Sequence, residues 1–122
     1  MIGYVTLGTN DLPRAVAFYD ALLAGRGAKR MMETDQFVAW SVTPEQPGLG
    51  VTKPFDKKPA TVGNGVMVAL AARSKSEVDE LHRKALRLGG TDEGAPGPRG
   101  EGFYAGYFRD LDGNKLNCFC MG

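Results

Sequence analysis

Histidine is almost missing from this chain, with His82 the only one in 122 residues. A non-haem iron centre of two imidazoles and a carboxylate is therefore excluded by count. Cysteine is nearly as scarce. Cys118 and Cys120 stand two apart in a strand-like segment, where side chains lie alongside each other near the limit of disulfide reach. Two thiols also fall short of the four ligands, or three plus water, that zinc takes. Reduced, buried cysteines are expected. No apolar run approaches the roughly 20 residues of a membrane helix. Met1 to Gly8 alternates like a strand and lacks the basic start and apolar core of a signal peptide, so a cytoplasmic location is expected. No charge of one sign accumulates either: the formal net charge is +1. No Lys/Arg cluster alternates with aromatics, so neither nucleic acid nor a membrane is an expected partner.

The apolar residues that are present follow two periods. Gly3 to Thr9 reads as a strand, with Val5 and Leu7 on one face and Tyr4 and Thr6 on the other. Asn10 or Asp11 can cap a following helix, and Pro13 suits its first turn. Leu12, Ala15, Val16, Tyr19, Leu22 and Leu23 then recur at helical spacing until Gly25 and Gly27. Short strands are expected at Ala28–Glu33, Phe37–Val42 and Leu49–Lys53.

The order then repeats. Asn64 to Ala72 reads as a strand with Met67, Ala69 and Ala71 on one face. Ser74 with Glu77 forms a capping-box pattern. Val78, Leu81, Ala85 and Leu88 stripe a second helix that Gly89–Gly90 ends. Strands near Phe103–Arg109 and Lys115–Phe119 flank a turn at Asp110–Gly113. A constant offset of 63 superposes Tyr4 on Met67, Val5 on Val68, Leu7 on Leu70 and Leu23 on Leu86. Two strand–helix–strands units joined by Phe55 to Gly63 are the economical reading, each laying its helix on one face of a sheet and leaving the other for binding.

Four stretches carry a resemblance. Val5-Thr-Leu-Gly-Thr-Asn-Asp-Leu-Pro-Arg-Ala-Val-Ala-Phe-Tyr19 resembles the opening strand and helix of small glyoxalase-like proteins of the glyoxalase/bleomycin-resistance/dioxygenase superfamily. Gly63 to Leu70, Gly89 to Gly97 and Phe103 to Asn114 resemble its second half. The resemblance implies an α+β fold of two βαβββ repeats in curved mixed sheets, one domain over residues 1–122 with repeats at about 1–54 and 64–122. It also implies a homodimer, since relatives complete their clefts by pairing.

In metal-dependent relatives, His from the first strand and Glu from the last strand of each repeat hold the ion. The resemblance puts Tyr4, Met67 and Asn117 at three of these positions. The fourth falls within Leu49 to Pro54, which holds no acid, imidazole or thiol. Phenol, thioether and amide are poor donors for a hard divalent ion. No metal and no other cofactor is expected. Strand parity turns Tyr4, Met67 and Asn117 away from the helices and toward one point.

The expected function is a metal-independent small-molecule binder with a degenerate metal site. A lyase or isomerase of the glyoxalase I type, or another enzyme of the glyoxalase family, is the alternative. The candidate ligand-binding residues are Tyr4, Thr6, Trp40, Met67, Arg99, Glu101, Tyr104 and Asn117, with Arg99 and Glu101 on a glycine-rich loop at Gly97–Gly102. Trp40 and Tyr104 suit core packing and cavity lining equally. His82 suits helix packing. Asp110, Asp112 and Asn114 suit a hairpin turn, because a calcium loop would need twelve residues and a closing Glu.

Overall fold

Two local signals set the frame, and both are caps. In the computed structural model, which describes all of residues 1–122, Asp11 caps helix α1 (Leu12–Ala24), its carboxylate accepting from the Arg14 N–H at 3.1 Å. Ser74 caps α2 (Lys75–Arg87) by accepting from the Glu77 N–H at 3.1 Å. Each satisfies a backbone donor that the first turn leaves without a partner. Leu12 and Lys75 open the helices, and Ala24 and Arg87 close them, so both ends keep the 63-residue offset. Gly89, at φ 102, takes the left-handed conformation that ends α2. Neither helix is long and apolar enough to cross a membrane.

The chain divides into two compact units, Met1–Thr61 and Val62–Gly122. Unit 1 holds β1 (Tyr4–Gly8), α1, β2 (Lys29–Glu33), β3 (Phe37–Ser41) and β4 (Gly48–Thr52). Unit 2 holds β5 (Val68–Ala71), α2, β6 (Thr91–Pro98), β7 (Phe103–Arg109) and β8 (Lys115–Met121). Each forms a four-stranded mixed sheet with the same topology, in the orders β1-β4-β3-β2 and β5-β8-β7-β6. In each, the first strand runs parallel to the last, and the other pairs are antiparallel. This is the expected α+β arrangement of two βαβββ repeats.

Two expectations shift. The strand read from Asn64 begins only at Val68, because a turn closed by the Val66 N–H on the Gly63 carbonyl (3.2 Å), with Gly65 at φ 95, occupies its start. Conversely, Gly97 and Pro98, read as loop, belong to strand β6, which pairs with β7 through two register breaks.

Each core lies between helix and sheet. In unit 1, Trp40 is 2% exposed, donates from Nε1 to Asp20 of α1 at 2.8 Å and packs on Tyr19. In unit 2, Leu116, Cys118 and Phe108 are fully buried, and the Cys118 Sγ lies 3.5 Å from the Val78 carbonyl of α2. Both cysteines are free and buried, and burial pushes the Cys118 thiol up to about 11, which keeps it protonated and inert. His82 is packed between α2 and the sheet, with Nε2 within 3.1 Å of both Asp92 Oδ1 and the Tyr107 carbonyl. The Asp110 carboxylate accepts from the backbone of Asp112 and Asn114 and from the Asn114 amide at 2.9 to 3.0 Å, so it closes the hairpin on itself.

Candidate ligand-binding site

Side-chain alternation along a strand leaves each sheet an open face, opposite its helix. In unit 1 the contacts of Trp40 with α1 assign Val38, Trp40, Leu49 and Val51 to the helix side. The open face then carries Tyr4, Thr6, Phe37, Ala39, Gly48 and Gly50. Tyr4 is 60% exposed and Thr6 is also exposed. The Tyr4 ring lies 6.0 Å from that of Phe37.

In unit 2 the contact of Cys118 with α2 assigns Leu116, Cys118 and Cys120 to the helix side. Tyr104 falls there too, opposite Cys120, and its hydroxyl donates to Asp79 of α2 at 2.7 Å. That bond, first among its causes, pushes the Tyr104 phenol pKa up. Trp40 and Tyr104 are thus both on the helix sides, committed to aspartates of the helices. The open face of unit 2 carries Ala69, Ala71, Ala105, Tyr107, Lys115, Asn117 and Phe119.

The shared register identifies equivalent positions. Thr6 pairs with Gly50 and Ala69 with Asn117. Since Thr6 and Ala69 are 63 residues apart, Gly50 is the counterpart of Asn117. The two positions are filled in opposite ways. A side chain at Gly50 would place its Cβ 2.5 Å from Phe37 Cε1, so the Phe37 ring already occupies that space. Asn117 is 2% exposed, and its Oδ1 has no hydrogen-bond partner. A buried amide oxygen left without a donor costs free energy, and such atoms normally have a reason.

Around Asn117 the face is cationic. Tyr107, its cross-strand partner on β7, has Lys115 Nζ at 5.5 Å and the Arg99 guanidinium at 5.6 Å from its ring centroid, within cation–π range. Arg99 is held in place by donating to the Ala95 carbonyl at 2.6 Å, over Gly94 and Gly97, where Cβ atoms would come within 3.3 and 3.1 Å of it. The glycines let the guanidinium lie against β6. Neither Arg99 nor Lys115 enters an ion pair, whereas Arg109 is paired with Glu93 at 2.8 Å. Lys115 and Met67, which is 39% exposed, share the lining of a hollow of about 470 Å³ with Arg109 and the Val62–Val66 segment. Glu101 is exposed in the β6–β7 loop and makes no hydrogen bond or ion pair.

Of the candidate residues, Met67, Arg99 and Asn117 thus belong to unit 2, Asn117 buried on the sheet face opposite α2, and Tyr4 and Thr6 lie on the open face of unit 1. Sequence reasoning missed Tyr107 and Lys115. Alternation from Asn117 back through the Asp110–Asn114 turn is the signal that finds them.

The residues that the resemblance puts at metal-ligand positions do not fit a divalent ion. They offer phenol, no side chain, thioether and amide, at Tyr4, Gly50, Met67 and Asn117. No three His, Cys, Asp or Glu side chains anywhere in the chain are grouped to hold a metal.

The family model of the Glyoxalase/Bleomycin resistance protein/Dioxygenase superfamily matches residues 1–118. A glyoxalase/bleomycin resistance protein from Albidiferax ferrireducens T118 is 35% identical, with a TM-score of 0.91, over 100% of this chain and 99% of its own. A hypothetical protein from S. aureus is 26% identical, with a TM-score of 0.76, over 98% and 92% of the two chains. A lactoylglutathione lyase from Agrobacterium tumefaciens has the same fold at 24% identity, with a TM-score of 0.74, over 98% and 92%. No curated protein matches the chain.

Proposed function

Because the chain belongs to the glyoxalase/bleomycin resistance protein/dioxygenase superfamily, we propose that it binds a small molecule without a metal, on the open face of unit 2. The observation that carries this is the Asn117 amide, buried with an oxygen that nothing in the protein satisfies. A purely structural sheet face would place an apolar side chain there, as Phe37 does over Gly50 in unit 1. A ligand donor would supply the missing partner, and the hollow lined by Lys115 lies two residues back along β8. The relatives' metal chemistry is not carried over, because the donors at the equivalent positions are the wrong ones.

The test is a melting-temperature screen of small aromatic and polar compounds, run in chelator and again with Zn²⁺, Ni²⁺ or Mn²⁺. A compound present at a hundred times its Kd stabilises the fold by about 2.7 kcal/mol, and the shift is the same with or without metal. Elemental analysis of the purified protein gives no stoichiometric metal. A metal bound at one per chain, on whose presence compound binding depends, overturns the reading.

A further inference from the structure

We propose that unit 1 carries a separate site for the phosphate group of a small phosphorylated compound, in the hollow between the β1–α1 turn and the segment that follows β4. It shares no residue with the unit 2 face and does not depend on what that face binds.

The charge comes first. The hollow has a volume of about 320 Å³, and Lys53, Lys57 and Lys58 line it together with Thr9, Asn10 and Gln36. That size lies at the small end of the range for small-molecule sites. No acidic side chain lines it, and none of the three lysines enters an ion pair. Asp56, the acid within the segment, accepts from the Lys58 backbone N–H at 3.0 Å, and Asp11 caps α1. Three ammonium groups on one hollow without a carboxylate favour an anion.

The backbone holds them there. β1 and β4 run parallel and end together at the hollow, tied by the Thr9 N–H on the Thr52 carbonyl at 3.0 Å. The segment after β4 is fastened at both ends. The Lys53 N–H donates to the Gln36 carbonyl at 2.9 Å. The Asn10 side chain accepts from the Ala60 N–H at 2.6 Å and donates to the Ala60 carbonyl at 3.2 Å. Sequence stiffens what lies between, since Lys53 and Lys58 each precede a proline and are kept out of helical geometry. Lys57 is the only non-glycine residue with positive φ, at 65, in a turn closed by its own N–H on the Pro54 carbonyl at 3.0 Å. The three cations thus stand on a backbone fixed before a ligand arrives, which lowers the ordering cost of binding.

Charge and donor count select the ligand. A carboxylate brings one charge and two oxygens, too few for three ammonium groups. A phosphate monoester brings close to two charges and three terminal oxygens, one for each lysine. Lysine binds phosphate as a point charge, without the planar match that arginine exploits. The Gln36 side-chain amide has no partner in the chain and is free to bond the rest of the compound.

Amide chemical-shift titration at low ionic strength, with inorganic pyrophosphate, glycerol 3-phosphate and acetate as probes, tests this. The two phosphates move the amides of Thr9, Asn10, Gln36 and Lys53 to Lys58 saturably, and acetate binds at least about tenfold more weakly. Lys53→Gln, Lys57→Gln and Lys58→Gln each weaken pyrophosphate by about three- to tenfold, between the strength of an exposed ion pair and that of a charge-assisted hydrogen bond. Lys29→Gln, the same loss of charge on the exposed strand β2, leaves it unchanged. Shifts that do not saturate, that acetate produces equally, or that Lys29→Gln reduces as much as the other three overturn the inference, because they report screening of the whole surface. Phe55, within the same segment, is fully exposed, so a lipid surface is the competing partner for these lysines. Sedimentation with phosphatidylglycerol vesicles that Phe55→Ser abolishes, without saturable binding of the soluble phosphates, overturns the inference in favour of that surface.

Discussion

The two units have one topology and one register but different open faces. In unit 1 the position opposite Thr6 is Gly50, covered by the Phe37 ring, with Tyr4 beside it. In unit 2 the position opposite Ala69 is Asn117, with an unpartnered oxygen and two unpaired cations nearby. The scaffold tolerates both because the faces are independent of the helix-side cores. Alternation lets one side of a strand change while the other keeps packing. A repeated fold can therefore keep one face filled and leave the other with a buried polar group that nothing in the chain satisfies.

The largest expected effect comes from breaking the filled face. Gly50→Val drives a side chain into Phe37 and should cost about 2 kcal/mol, as overpacking does. The double change Gly50→Val with Phe37→Ala should recover part of that loss, and a denaturation cycle measures the coupling. Additive losses would show that Phe37 does not fill the space over Gly50. On the other face, Asn117→Leu should stabilise the free protein by about 1 kcal/mol, because a buried acceptor with no partner is removed. It should lose ligand binding at the same time. Loss of stability in the ligand-free protein would mean that the amide is satisfied after all.

Asp20 in unit 1 and Tyr104 in unit 2 should make stability depend on pH in opposite directions. In unit 1 the hydrogen bond from Arg30, helped by that from Trp40, holds the Asp20 carboxyl below its ordinary value of 3.8. Its contribution is present above that value and is lost as pH falls through the lower native one. Trp40, the only tryptophan, donates to Asp20 and reports the loss by fluorescence. Asp20→Asn should flatten that acid response. In unit 2 the Tyr104 pKa is raised above 10. The stability it adds is complete below pH 10 and is lost as pH rises through the native value. Tyr104→Phe should remove this alkaline limb and leave the acid one, followed by amide chemical shifts of unit 2. The smallest effect is at Glu101. It touches nothing, so Glu101→Gln should change stability by under about 0.5 kcal/mol and leave ligand affinity unaltered.

The repeat was legible because its signals are local. Asp11, Ser74, Gly89 and the apolar stripes act within a turn or two of chain, and their spacing carries the 63-residue offset. Strand β6 was not legible. Gly94, Pro96, Gly97 and Pro98 read as loop chemistry, and only the pairing with β7 and the Arg99 side chain lying against the glycines make it a strand. Trp40 and Tyr104 could not be assigned to core or cavity, because their commitment depends on Asp20 and Asp79, each 20 or 25 residues away. Asn117 was singled out by its motif, but its missing partner and the cations over Tyr107 are properties of the assembled sheet. Gly50 shows the same limit from the other side, since a glycine in a strand says nothing about the ring that will cover it.

The parallel pairing of first and last strands has a consequence for how the chain is made. Synthesis runs from the N-terminus, and β1 has no partner in its unit until Gly48–Thr52 leaves the ribosome. β5 must likewise wait for Leu116–Phe119. Helix and hairpin contacts can form earlier, but neither sheet closes until its final strand arrives, because the long loop must be closed before the pairing compensates for it. A nascent chain stalled after Lys53, with enough tether to clear the exit tunnel, should hold a closed first unit. One stalled after Arg109 should hold a second unit whose opening strand, β5, is still unpaired and open to proteolysis.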